Sequence, residues 1–159
     1  MTLTSFNKKF SIELAHIYIE QIVAVVDESG SYETGGILIG NYTSDLTTAI
    51  ITKISGPPTD SKRGRTWFNR GTKGLNTLIK QYWRKSQYYL GEWHFHPNSE
   101  PNPSRQDILQ MKEIACSKKY NCPEPILIII GGALGKFSIA AYIINKAGEL
   151  IRLGSTQKI

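Results

Sequence analysis

Glu92-Trp93-His94-Phe95-His96-Pro97, followed after a six-residue gap by Ser104-Arg105-Gln106-Asp107, is the stretch on which this sequence turns. His94 and His96 lie two apart at the end of an aromatic-rich run, residues 88–96, that reads as a strand. Alternate residues of a strand share a face, so both imidazoles project the same way. Pro97 offers no backbone N–H and helps end the strand. Pro97, Pro101 and Pro103 mark residues 97–103 as a loop, after which Ser104 opens a helix running to about residue 117. Ser-x-x-Asp is a helix-start pattern. The hydroxyl satisfies an orphan backbone N–H, and the acid is favoured at the positive end of the helix. Two histidines and the Asp107 carboxylate can therefore converge from two rigid elements. Three protein ligands with a fourth position left for water is the pattern of a catalytic zinc site, not a structural one.

Outward from this core, the spacing predicts a first helix over residues 14–26, with Leu14, Ile17, Ile22, Val25 and Val26 on one side and an end near Gly30. Strands are expected over residues 36–42 and 47–55, the second stopped by Gly56-Pro57-Pro58. Residues 57–70 read as a polar, basic loop, long enough to be functional or mobile. A second helix carries Leu75, Leu78, Ile79, Tyr82 and Trp83 on one face. The apolar run 126–130 suits a strand buried on both sides. Strands over 137–144 and 149–153 finish the set, joined through Asn145-Lys146-Ala147-Gly148. The fold expected is α/β, a single domain over residues 1–159 with a central mixed β-sheet flanked by helices.

Composition narrows the function classes. The net charge of +6 suggests an acidic partner or weak nucleic-acid affinity. Its excess gathers in Lys62, Arg63, Arg65, Arg70, Lys73, Lys80, Arg84 and Lys85, although charge runs are usually solvated faces. Cys116 and Cys122, with no Cys or His neighbour, are read as free thiols, and the isolated His16 as an ordinary surface or core histidine. No apolar run approaches a membrane span and the first residues do not form a secretion signal, so a cytoplasmic protein with no membrane association is the default.

The spacing His94-x-His96-Pro97, six residues, Ser104-x-x-Asp107 resembles the JAMM signature of MPN+ (JAB) domain zinc metallopeptidases. Five specified residues would coincide by chance less than about once in ten thousand sequences of this length at average usage. Glu33-Thr34-Gly35-Gly36-Ile37-Leu38-Ile39-Gly40 resembles the family's upstream element, a glutamate shortly before a glycine and an apolar strand. The resemblance runs over about residues 10–150. It implies a JAB/MPN-type fold, Zn2+ on His94, His96 and Asp107, Glu33 as the group that shuttles the proton, and Ser104 as a donor to the oxyanion. Phe95 departs from the Ser or Thr common between the two histidines. On strand parity it faces away from the metal and bears on packing or substrate contact. Glu92, with the parity of His94 and His96, rivals Glu33. Its expected place is beside a metal-bound histidine or facing substrate.

The resemblance implies hydrolysis of the bond after a ubiquitin-like or other conjugated protein tail. The chain is most similar to the stand-alone prokaryotic JAB deconjugating peptidases of bacterial CBASS antiphage systems, which reverse E1/E2-like conjugation of a cGAS-like nucleotidyltransferase. Alternatives are a RadC-like or scaffold MPN-type protein that binds nucleic acid or protein without peptidase activity, and a non-haem iron oxygenase built on the same two-histidine, one-carboxylate set. Nucleic acid is disfavoured because no nucleic-acid fold motif is present, and Glu33 and Ser104 fit hydrolysis better than oxygenation. In the basic loop, Arg63, Arg65 and Arg70 are expected to meet an acidic surface of the conjugate, with Trp67 and Phe68 as anchors.

Overall fold

Ile126-Leu127-Ile128-Ile129-Ile130 is buried throughout and forms the start of a strand, Ile126–Ala133, covered on both faces. A computed structural model describes residues 1–159. In chain order it contains β1 (Thr2–Thr4), β2 (Ser11–Leu14), α1 (His16–Ser29), β3 (Thr34–Tyr42), β4 (Thr48–Ile54), β5 (Lys62–Arg63) and β6 (Phe68–Asn69). There follow α2 (Leu75–Trp83), β7 (Tyr88–Pro97), α3 (Arg105–Cys116), β8 (Ile126–Ala133), β9 (Lys136–Ile144) and β10 (Leu150–Lys158).

Eight strands make one mixed sheet in the order β1-β2-β4-β3-β7-β8-β9-β10, and β5 and β6 pair as a separate hairpin. β7 and β8 run parallel, and α3 supplies the crossover that parallel neighbours require. β2 and β4 are the other parallel pair. An antiparallel bridge from Ser5 to Leu153 brings the two ends of the sheet together, so the sheet curls on itself.

Period-2 alternation divides the core in two. Ile126, Ile128 and Ile130 join Trp93, Phe95, Ile139 and the α1 residues Ile19, Ile22 and Val26. Leu127 and Ile129 join Ile37, Ile39, Leu75 of α2, and Met111 and Ile114 of α3. The expected mixed α/β architecture is therefore present, with α1 on one face and α2 and α3 on the other.

Several boundaries differ from expectation. Leu14 belongs to β2 and is buried there, so α1 starts at His16; the three- and four-residue strands β1 and β2 are too short for a periodicity to announce them. β5 and β6 lie inside the segment read as a loop. Trp83, assigned to the buried face of α2, is 55% exposed and stacks edge-on against Tyr88. The buried residue of this nine-residue helix is Leu75 at its start, so its far end reaches past the sheet. β10 continues to Lys158 through a register irregularity between Leu153 and Gln157. No helix is long and apolar enough to cross a membrane.

Candidate metal centre and active site

The site forms where the C-terminal end of β7 meets the N-terminus of α3. Ser104 caps α3: its hydroxyl oxygen accepts the Asp107 backbone N–H at 3.1 Å, and Asp107 Oδ2 accepts the Ser104 backbone N–H at 2.6 Å. This reciprocal box uses the shorter acid where Glu or Gln is usual. It fixes the Asp107 carboxylate against β7, with Oδ1 2.7 Å from His94 Nδ1 and Oδ2 3.4 Å from His96 Nε2.

Each imidazole is held from behind. His96 Nδ1 lies 3.1 Å from the Asn102 carbonyl, which accepts its N–H and leaves Nε2 facing Asp107. His94 Nε2 lies 3.3 Å from Glu92 Oε2, which leaves Nδ1 as the nitrogen facing the centre. His94, His96 and Asp107 are all buried, and their ligand atoms lie within 4.8 Å of one another. Two imidazole nitrogens and one carboxylate oxygen, each oriented by a second hydrogen bond, form a donor set that fits a divalent transition metal.

Burial opposes charging His94, but its hydrogen bonds to Asp107 and Glu92 outweigh it and push its pKa up to about 9. Burial also opposes the Asp107 charge, yet His94, His96 and the Ser104 bond hold its carboxyl well below the usual range.

Glu33 stands half-buried just before β3. Gly35 is registered opposite His94 on β7, so two residues further along the antiparallel pair Glu33 comes beside His96. Desolvation raises its pKa, Asp107 adds to the rise, and His96 and His94 oppose it. Gly35 is required by this close packing: a Cβ there would fall 2.4 Å from the Trp93 carbonyl oxygen and 2.9 Å from His94 Cδ2. Ser104 is exposed, with its hydroxyl at the rim of the centre. Phe95 is buried on the opposite face, edge-on to Phe137, in agreement with the parity argument.

Of the two places expected for Glu92, the structure shows the one beside a histidine and not the one facing substrate: it is fully buried and bonded to His94, Arg70, Tyr89 and Gln110. One expectation needs correction. Arg70 and Phe68 do not belong to an outward recognition surface. The Arg70 side chain is 6% exposed, paired with Glu92, and Phe68 is buried edge-on against His94. Arg63, Arg65 and Trp67 remain exposed. Nothing in the sequence analysis marks Gln110 or the Asn102 carbonyl as partners of the site, and Arg70 is given an outward role there instead. Gln110, three residues after Asp107 on the same helix face, was open to detection by spacing. Arg70 was hidden among exposed cations.

The chain's residues 16–144 match the family model described as prokaryotic homologs of the JAB domain. This chain belongs to the prokaryotic JAB family. The JAB chain is 42% identical to a CD-NTase/cGAS isopeptidase of Enterobacter hormaechei subsp. hoffmannii, over 96% of its own length and 86% of the relative's. It is 33% identical to a Sinorhizobium fredii protein named "Probable metalloprotease", over 76% of its own length and 73% of that protein. The solution structure of a Desulfitobacterium hafniense protein shares the fold, with a TM-score of 0.62 at 19% identity, covering 93% of the JAB chain and 89% of the other.

Proposed function

We propose that this JAB protein is a zinc-dependent isopeptidase that cuts the bond after the C-terminal tail of a conjugated protein. The observation that carries the reading is the meeting of His94, His96 and Asp107 in one buried centre with Glu33 beside it. His94, His96 and Asp107 would hold the metal. Zinc held there would supply a bound water with a pKa of about 7 and a Lewis acid for the scissile carbonyl. Glu33 takes a proton from the attacking water and gives it to the departing amine, so the C–N bond is replaced by a carboxylate and a free amine. Burial raises the Glu33 pKa towards the working pH, which suits a group that must both accept and return a proton. Ser104 donates its hydroxyl hydrogen to the developing oxyanion while its oxygen keeps the helix cap.

The Enterobacter relative is named for acting on CD-NTase/cGAS. On 42% identity we assign the same substrate class here: a cGAS-like nucleotidyltransferase joined through its tail to an acceptor amine by an E1/E2-like pair, in the cytoplasm of a cell using CBASS defence. The test uses a nucleotidyltransferase conjugate made with such enzymes and the zinc-loaded protein. Free nucleotidyltransferase with an intact tail should appear, and H96A should release none while losing metal. An uncleaved conjugate with the loaded wild type, or full release by H96A, would refute the assignment. Iron in the purified protein with oxygen-dependent chemistry would move the case to an oxygenase.

A further inference from the structure

Behind the site, a second ionic group occupies the interior. Glu92 is fully buried and both of its oxygens meet donors. Oε1 receives Arg70 Nε at 2.9 Å and the Tyr89 hydroxyl at 3.1 Å. Oε2 receives Gln110 Nε2 at 2.8 Å and lies 3.3 Å from His94 Nε2. Arg70 is held in turn. A second guanidinium nitrogen also reaches Glu92 Oε1, at 2.7 Å, and bonds the Tyr120 hydroxyl at 3.3 Å, while the third donates to the Gly71 carbonyl at 2.9 Å. The base of the Arg70 segment is tied down by Asp60, which accepts the Thr72 and Lys73 N–H groups, and by Ser61, which accepts that of Gly71. Farther along the same segment, Phe68 packs on His94 and the Gly64 carbonyl accepts the Glu33 N–H.

A buried carboxylate needs a compensating charge, and Arg70 is the permanent cation in contact with Glu92. Two guanidinium nitrogens converge on Oε1 and hold that oxygen, which leaves Oε2 turned to Gln110 and His94; a single ammonium offers one such contact. We infer that Arg70 is a positioning residue for the metal centre: it locks Glu92 so that Oε2 stays on His94 Nε2, and thereby aims His94 Nδ1 at the metal. The segment read as a recognition loop thus contributes a buried brace to catalysis. The inference rests on the metallopeptidase reading, and it acts through metal affinity and not substrate contact.

Zinc competition against a chromophoric chelator, with thermal unfolding of the zinc-free proteins in parallel, tests it without any substrate. R70M should weaken zinc binding about 10–100-fold, the usual scale for partners that orient a metal-bound histidine. R70K keeps the buried charge but lacks the fork, so it should fold and fall between wild type and R70M. R63A, an exposed arginine of the same segment, should bind zinc as the wild type does. If R70M fails to fold, R70K alone decides: an affinity within twofold of wild type overturns the inference. Lower thermal midpoints with unchanged zinc affinity would make Arg70 a structural brace only and overturn it equally. Failure of the wild type to bind stoichiometric zinc would instead bring down the proposed function on which it rests.

Discussion

Between Asp107 and Glu92, the His94 ring meets a carboxylate at each nitrogen. Burial alone would drive it neutral; the two carboxylates reverse the sign, and its pKa of about 9 exceeds the ordinary 6.5. A raised pKa stabilises the folded state fully below the unfolded value, and that stabilisation is lost as pH rises through the folded value. The zinc-free protein should therefore lose His94-linked stability between about pH 6.5 and pH 9. A cation at Nδ1 must displace the same proton, so zinc affinity should tighten over that window. Thermal melts of zinc-free wild type and H94N across the window check this: the decline should appear in the wild type and be absent from the variant. Identical slopes would mean that the imidazole is not held protonated between its neighbours.

At the scale of the element, the proposed reaction gives one helix start two jobs. Ser104 caps α3 through its oxygen and, in the proposed reaction, donates its hydrogen to the oxyanion. Glycine is a tolerated cap, a few tenths of a kcal/mol below serine, and carries no hydroxyl. S104G should keep its thermal midpoint near wild type, yet lose about 10²–10³ in turnover if the oxyanion role is real. Turnover within a few-fold of wild type would leave Ser104 as a cap alone. This element and β7 were legible because their information is local. Two histidines at strand spacing, a proline stop and a Ser-x-x-Asp start each state their geometry within a few residues. The hairpin of β5 and β6 was not legible. Its strands are two residues each, and what orders it is tertiary: Phe68 on His94, Arg70 on Glu92 and Gly64 on Glu33. The same limit misplaced Trp83, since helical spacing identifies a face but not where the sheet beneath it ends.

Across the whole molecule, the sheet order makes the site. Antiparallel pairing of β3 with β7 sets Glu33 beside His96, and the parallel β7-α3-β8 crossover returns Asp107 to the end of the strand carrying both histidines. Ligands commonly sit outside the carboxyl ends of parallel strands, and this centre follows that rule. The candidate metal-binding constellation was readable because its parts carry a recognisable spacing. The Arg70–Glu92 pair was not, because 22 positions separate two charges whose burial only the folded chain brings about. A charge tally over residues 62–85 could not tell the buried Arg70 from the exposed Arg63 and Arg65. The central claim is a division of labour: His94, His96 and Asp107 hold the metal, and Glu33 moves the proton without holding it. The most direct measurement is zinc content and conjugate turnover on the same preparation of E33Q. The account predicts about one zinc per chain, as in wild type, with turnover down by about 10²–10⁴; loss of the zinc, or turnover close to wild type with zinc in place, would contradict it.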